Sequence, residues 1–115
     1  MKNENAHITF TVPVLFIRTN KAVKCIPFEN ILYLQAEGSY TYIFECGGTV
    51  KHLSAYSLGH IEQNLRCPFI LRVHRSYMVN LKQITGMISN SIKIGNNIIP
   101  IGRTYKHILN NFIII

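Results

Sequence analysis

The sequence predicts a mainly antiparallel β fold of short strands with two short helices, on three observations. Runs of β-branched and aromatic residues are separated by Gly, Asn and Pro turns about every 8–12 residues. Helical spacing of apolar residues occurs only in two short segments. The 115 residues, 48% of them hydrophobic, suffice for one core without a second domain. Residues 1–12 are polar and irregular and are predicted to form a flexible tail, with the folded domain spanning 13–115.

Apolar runs in the first half of the chain predict strands, followed by a helix. The predicted strands are Val14–Arg18, Ala22–Ile26, Ile31–Ala36, Tyr40–Cys46 and Thr49–Leu53. Gly47–Gly48 predicts a hairpin between the last two, because such turns match strand twist. Alternation places Tyr40 on one face of its strand and Thr41 on the other. Ser57 is placed to cap a helix that carries Leu58, Ile61 and Leu65 on one side and ends at Pro68.

The second half of the chain predicts more short strands and a last helix. The predicted strands are Phe69–Val73, Ser76–Asn80, Ile84–Ile88, Ser91–Ile94 and Asn97–Ile101. His74 and Arg75 interrupt the first pair, and Ser89–Asn90 and Gly95–Asn96 provide turns for a meander. Thr104 is expected to cap the last helix, whose apolar stripe is Tyr105, Ile108, Leu109 and Phe112.

The charge distribution indicates a polyanionic partner. The formal net charge is +7, Asp is absent, and Glu62 is the last acidic residue. After it come seven cations that no later carboxylate offsets: Arg66, Arg72, Arg75, Lys82, Lys93, Arg103 and Lys106. A field of one sign over half of a small domain attracts polyanions such as nucleic acids. The competing interpretation is a basic surface that only maintains solubility.

The residues do not favour an enzyme, a metal site or a bound cofactor. None of the five histidines has a partner at metal-ligand spacing, and five carboxylates make acid–base pairs hard to assemble. Cys25, Cys46 and Cys67 are widely spaced, and we expect them to be small buried thiols in a reducing compartment. The sequence has no apolar run of the ~18–20 residues that a membrane span needs and no signal-peptide core, which predicts a cytoplasmic protein.

Three polar clusters interrupt the predicted strands and are candidates for a binding face. In the first, Arg75 is suited to bidentate contact with guanine, while His74 and Ser76 suit a base edge or a phosphate. In the second, Arg103 precedes a helix N-terminus, which favours phosphate, and Lys106 is one turn further. The third comprises Ser39, Tyr40 and Thr41 after Gly38. Alternatives are a strand-end role for His74, a capping or solvated Arg103, and core packing of the strand tyrosines.

These clusters make the chain resemble the LytTR family of bacterial transcription-factor output domains. The resemblance covers residues from about 13 to 112. Its motifs are Ile31–Ala36 with Gly38, Tyr40 and Thr41; Ser57–Leu65; Phe69 with Arg72–Tyr77, Val79 and Asn80; and Ile99–Tyr105. It implies an elongated β-sheet fold whose loops enter successive major grooves and bend the DNA, typically with two copies on direct repeats.

The resemblance also implies roles for the clustered residues. Base contacts would come from His74, Arg75, Arg103 and the Tyr40–Thr41 pair, whose alignment leaves the choice of Tyr40 or Thr41 open. Phosphates would lie near Ser39, Ser76, Gly102, Thr104 and Lys106. Only about a dozen residues precede the match, so the receiver domain that most members carry is not expected here.

The sequence therefore predicts a sequence-specific transcriptional regulator whose partner is double-stranded DNA, with self-association on DNA. The alternative is an interaction module without a receiver domain, which pairs with a full-length regulator and modulates it. An RNA-binding domain that stacks bases on strand tyrosines is a third hypothesis. An enzyme is the least favoured.

Overall fold

The computed structural model describes residues 12–18, 21–47 and 51–115, and these form three antiparallel sheets. The strands are β1 (Val14–Arg18), β2 (Val23–Pro27), β3 (Ile31–Glu37), β4 (Tyr40–Glu45), β5 (Lys51–Ser54), β6 (Ile70–His74), β7 (Tyr77–Asn80), β8 (Gly86–Ile88), β9 (Ser91–Ile94) and β10 (Asn97–Pro100). The central sheet has the order β5-β4-β3-β7-β6, flanked by the β1-β2 pair and the β8-β9-β10 meander. The dimensions, 55 × 36 × 25 Å, match the predicted elongated, mainly β fold.

The central sheet is buried on both faces, and its alternating residues divide between two cores. Leu34, Ile43 and Met78 face the first core, where Ile17 and Ile26 of the β1-β2 pair and Leu58 and Ile61 also pack. Tyr33, Val73 and Val79 face the second core, which the meander covers with Ile92, Ile94 and Ile99. Two-sided burial explains why several strands are almost continuously apolar rather than alternating.

Two helices complete the cores. Helix α1 (Leu58–Asn64) begins as predicted, with Ser57 Oγ accepting a hydrogen bond from the His60 amide at 3.1 Å. The C-terminal 3₁₀ helix (Arg103–Asn111) packs on β6 and buries Ile108 in the second core. The prediction that Thr104 caps this helix is wrong. The capping residue is Gly102, and no side-chain hydrogen bond caps the helix.

Asn80 fixes the end of the central sheet at which β3 begins. Its fully buried side-chain amide donates to the Phe28 carbonyl at 3.2 Å and to the Ile31 carbonyl at 2.8 Å. Its Oδ1 accepts from the Lys82 amide at 2.8 Å. Removing such a side chain would leave buried polar groups unsatisfied, so it ties the short 3₁₀ turns Phe28–Asn30 and Leu81–Gln83 together.

The other strand predictions are confirmed, most to within one or two residues. The hairpin is present as β4 paired with β5, although Gly48 and Thr49 lie outside the described residues, as do Thr19, Asn20 and residues 1–11. The predicted strand Ile84–Ile88 is shorter in the structure, where β8 starts only at Gly86. The meander turns occur where expected, with Ser89 at a φ of 54°.

The prediction of three buried thiols holds only for Cys67. Cys25 is exposed because it lies opposite the exposed Phe16 on the outer face of the β1-β2 pair, and Cys46 is half-buried. Burial raises the pKa of the Cys67 thiol, which favours its protonated form. The helices of the described residues are too short or too polar to cross a membrane.

Candidate nucleic-acid interface

Two turns that carry predicted contact residues lie side by side at one end of the central sheet. The β3-β4 turn contains Gly38, with a φ of +61°, and the exposed Ser39. The β6-β7 turn contains Arg75 and Ser76. Because β3 pairs with β7, the Ala36 amide donates to the Ser76 carbonyl at 2.8 Å, which brings the two turns next to each other.

The cluster of Arg103 and Lys106 joins the same end through Gly102. Its amide donates to the Val73 carbonyl at 2.8 Å, and a Cβ placed on Gly102 would lie 3.5 Å from the Cα of His74. The backbone before Arg103 therefore lies directly against the β6-β7 turn. Three segments that are far apart in the sequence thus meet at one edge, which we call the loop edge: residues 38–40, 74–76 and 102–106.

The loop edge carries exposed cations. Arg75, Arg103 and Lys106 are exposed, as are Ser39, Tyr40 and Thr104. Within the part of the chain that the structure describes, Arg75, Arg103 and Lys106 take part in no ion pair. Their charge is therefore available to an anionic partner. Ser76, Gly102 and His74 are half-buried members of the same edge.

His74 is held in one orientation by its neighbours. Its Nδ1 accepts a hydrogen bond from the Ser76 amide at 3.0 Å, and its ring lies 5.6 Å from that of Tyr77. A neutral ring with Nδ1 as acceptor carries its proton on Nε2. The ring is therefore oriented with a donor that can serve a base edge or a phosphate oxygen.

Thr41 does not belong to the loop edge, so the prediction of Thr41 as a base-contacting residue needs correction. Its side chain is fully buried, and its hydroxyl donates to the Tyr56 carbonyl at 2.8 Å. Tyr40, its neighbour on β4, is 48% exposed. Adjacent strand residues point to opposite faces, so only one of the two can reach a ligand.

Two of the seven late cations have acidic partners in the folded protein. Arg72 pairs with Glu62, with a distance of 2.7 Å between Nη1 and Oε1, and Lys82 pairs with Glu29 at 3.3 Å. Both carboxylates come from earlier in the chain. Sequence order concealed these pairs because strand and helix packing brings distant residues together.

Arg72 is a residue of this region to which sequence reasoning gave no role. Its Nε donates to the His74 carbonyl at 2.8 Å, and its Nη2 donates to the Arg75 carbonyl. Its side chain is only 14% exposed. An arginine in the middle of the apolar run Phe69–Val73 was a usable signal, since a cation in a buried strand needs partners.

The fold and this edge define a mainly β domain in which separate loops present cations at one end of a central sheet. The family of LytTr DNA-binding domains matches residues 21–113, and the chain belongs to this LytTR family. A solved LytTr DNA-binding domain of a response regulator from Bacillus cereus has a TM-score of 0.70 and 22% identity, over 88% of this chain and 96% of the other. That similarity concerns the fold. Comparison with curated proteins gives no significant match.

Proposed function

We propose that this LytTR domain is a sequence-specific transcriptional regulator that places its loop edge in the major groove of double-stranded DNA. One observation carries the proposal: the three polar clusters meet at a single edge with the cations of Arg75, Arg103 and Lys106 exposed. An edge with several basic side chains can pair with phosphates, while arginine forks can read guanine.

In this proposal the residues of the loop edge divide into two roles. Tyr40, His74, Arg75 and Arg103 contact base edges. Ser39, Ser76, Gly102, Thr104 and Lys106 lie near phosphates, which fix the register of the protein on the duplex but carry no sequence information. Thr41 has no contact role, because its hydroxyl is bound inside the fold.

We further propose that the loops enter successive major grooves and that two copies bind direct repeats. Duplexes selected from a random pool by the wild-type protein should then contain a motif repeated at an integral number of helical turns, about 10.5 base pairs each. Enrichment of one unrepeated motif would contradict the two-copy arrangement without contradicting base reading.

The base-reading roles are tested by Arg75→Ala and Arg103→Ala. Each should lower discrimination between the selected duplex and a scrambled one by about 1–3 kcal/mol, the range for a lost bidentate contact. Arg66→Ala is the matched control, because Arg66 is exposed but lies in the segment after α1, where it can donate to the Gln63 carbonyl at 3.5 Å. Unchanged discrimination in both variants would contradict the assignment.

An alternative function is an interaction module that pairs with a full-length regulator. Three exposed apolar residues at the C-terminal end favour this, since such side chains gain from being covered: Ile113, Ile114 and Ile115. Selection of duplexes from a random pool, together with co-purification with a full-length regulator, distinguishes this alternative from the proposed function. The alternative predicts weak binding to every duplex and a stable complex of the two proteins.

A further inference from the structure

Arg72 contacts the β6-β7 turn at two carbonyl groups and is itself anchored to a different element. Its guanidinium binds the carbonyls of His74 and Arg75 and the carboxylate of Glu62 on α1. The guanidinium thus uses all three of its nitrogens in these bonds. Arg72 shares the sheet face of Ile70, which packs in the first core with α1, so the ion pair joins the helix to the turn.

The turn that Arg72 contacts is not of the type that a two-residue hairpin prefers by itself. Such loops favour primed turns, which need a positive φ in the loop. His74 pairs with Tyr77, and neither Arg75 nor Ser76 between them has a positive φ. The register also shifts between Arg72 and His74, as expected for a β-bulge that re-aims the next side chains. Tertiary contacts must therefore hold the turn in place.

Arginine is suited to this bracing and lysine is not. The guanidinium presents its donors in a rigid plane, so it can bind two carbonyls and a carboxylate at once. A lysine ammonium at the same position keeps the charge but cannot span the three acceptors in that geometry. Among the three bonds, the one from Nε to the His74 carbonyl is partly buried, whereas the two made by Nη1 and Nη2 lie at the surface.

We propose that Arg72, anchored by Glu62, is a positioning residue that sets the direction of His74 and Arg75 for reading DNA bases without contacting the DNA itself. The inference rests on the proposed function of the loop edge. It adds that part of the sequence specificity comes from an ion pair between α1 and β6 behind the contact surface.

The test compares Arg72→Lys, Arg72→Gln and Glu62→Gln with the wild type, using the selected and the scrambled duplex at several salt concentrations. Arg72→Lys and Arg72→Gln should each lower discrimination on the order of tenfold, and Glu62→Gln by about threefold. The slope of log affinity against log salt should stay at its wild-type value in all three, because Arg72 neutralises no phosphate.

A double-mutant cycle distinguishes positioning from general damage to the fold. If Arg72 acts through the turn, Arg72→Lys in an Arg75→Ala background should lower discrimination by only about twofold. Amide hydrogen exchange of Ser76 in the free protein should accelerate in Arg72→Lys, while that of Ile43 in the core of the central sheet stays unchanged. The exchange measurement needs no DNA. If Arg72→Gln fails to fold, Glu62→Gln still tests the inference, because it changes only a half-exposed side chain at the surface.

Three results would overturn the inference. The first is that Arg72→Lys and Glu62→Gln discriminate between the duplexes as well as the wild type does. The second is that the slope of log affinity against log salt falls by about 0.9 in Arg72→Gln. The third is that the variants lose affinity for the selected and the scrambled duplex equally. The slope result would make Arg72 a phosphate contact. A wild-type protein that prefers no duplex would instead contradict the proposed function, so the two failures are distinguishable.

Discussion

Tyr40 and Thr41 are neighbours on β4, and their side chains leave the strand on opposite faces. Tyr40 lies exposed at the loop edge, whereas Thr41 is buried and bonded to the Tyr56 carbonyl. Ser54, which pairs with Thr41 across β4 and β5, accepts from the Tyr56 amide at 3.2 Å. The two hydroxyls therefore hold the segment that leads into α1, which is a structural role.

Thr41→Val should accordingly affect stability and leave DNA discrimination unchanged. Valine keeps the shape but loses the hydrogen bond, so we expect unfolding to require about 1 kcal/mol less, measured by urea denaturation. Tyr40→Ala is the matched variant and should weaken discrimination with little change in stability. The assignment fails if Thr41→Val impairs binding more than Tyr40→Ala does.

At the scale of elements, turns and helix ends determine where the loop edge residues sit. Gly38 provides the positive φ that closes the β3-β4 turn, and Gly59 lies inside α1, where no such conformation is needed. A Cβ at either position would meet no atom within 4 Å. Substitutions at these two glycines therefore compare backbone conformation alone, without differences in packing.

Gly38→Ala and Gly59→Ala should change stability in opposite directions. Alanine at the left-handed position of Gly38 should cost about 1 kcal/mol, because its Cβ approaches the following carbonyl. In α1 it should stabilise the fold by about 0.5 kcal/mol, because alanine loses less backbone entropy on folding than glycine. Thermal and urea denaturation measure both. A loss of stability in Gly59→Ala would contradict the backbone argument.

On the scale of the whole molecule, the basic residues after Glu62 differ in position and in partners, although all carry the same charge. Lys106 is exposed at the loop edge and has no acidic partner among the described residues. Lys82 lies beside Asn80 at the opposite end of the central sheet, pairs with Glu29, and packs over the Phe69 ring at 4.3 Å. Of these two lysines, only Lys106 should contact the DNA backbone.

Lys106→Gln should therefore lower the salt dependence of DNA binding, and Lys82→Gln should not. Each phosphate neutralised contributes about 0.9 to the slope of log affinity against log salt on duplex DNA, so the slope should become shallower by about that amount in Lys106→Gln. Titrations between low and physiological salt measure it. Equal slopes for the two variants would mean that the duplex lies elsewhere on the surface.

The prediction of the strands succeeded because local signals determine them. Turn residues and short β-branched runs act over a few positions, and β3, β4 and the meander follow them closely. Apolar alternation also distinguished the two faces of β4. It did not place Cys25, because the strand β2 has only one buried residue, Ile26, and its outer face is open.

The sequence by itself determined the mainly β fold, the family, and the residue types able to bind DNA. Only the tertiary structure decided that three clusters meet at one edge, that Tyr40 rather than Thr41 is exposed, and that Arg72 is bound by Glu62. The physical reason is that strand propensity and turn chemistry act between near neighbours in the chain. Burial and ion pairing depend on distances in space, which strand order and helix packing set between residues far apart in sequence.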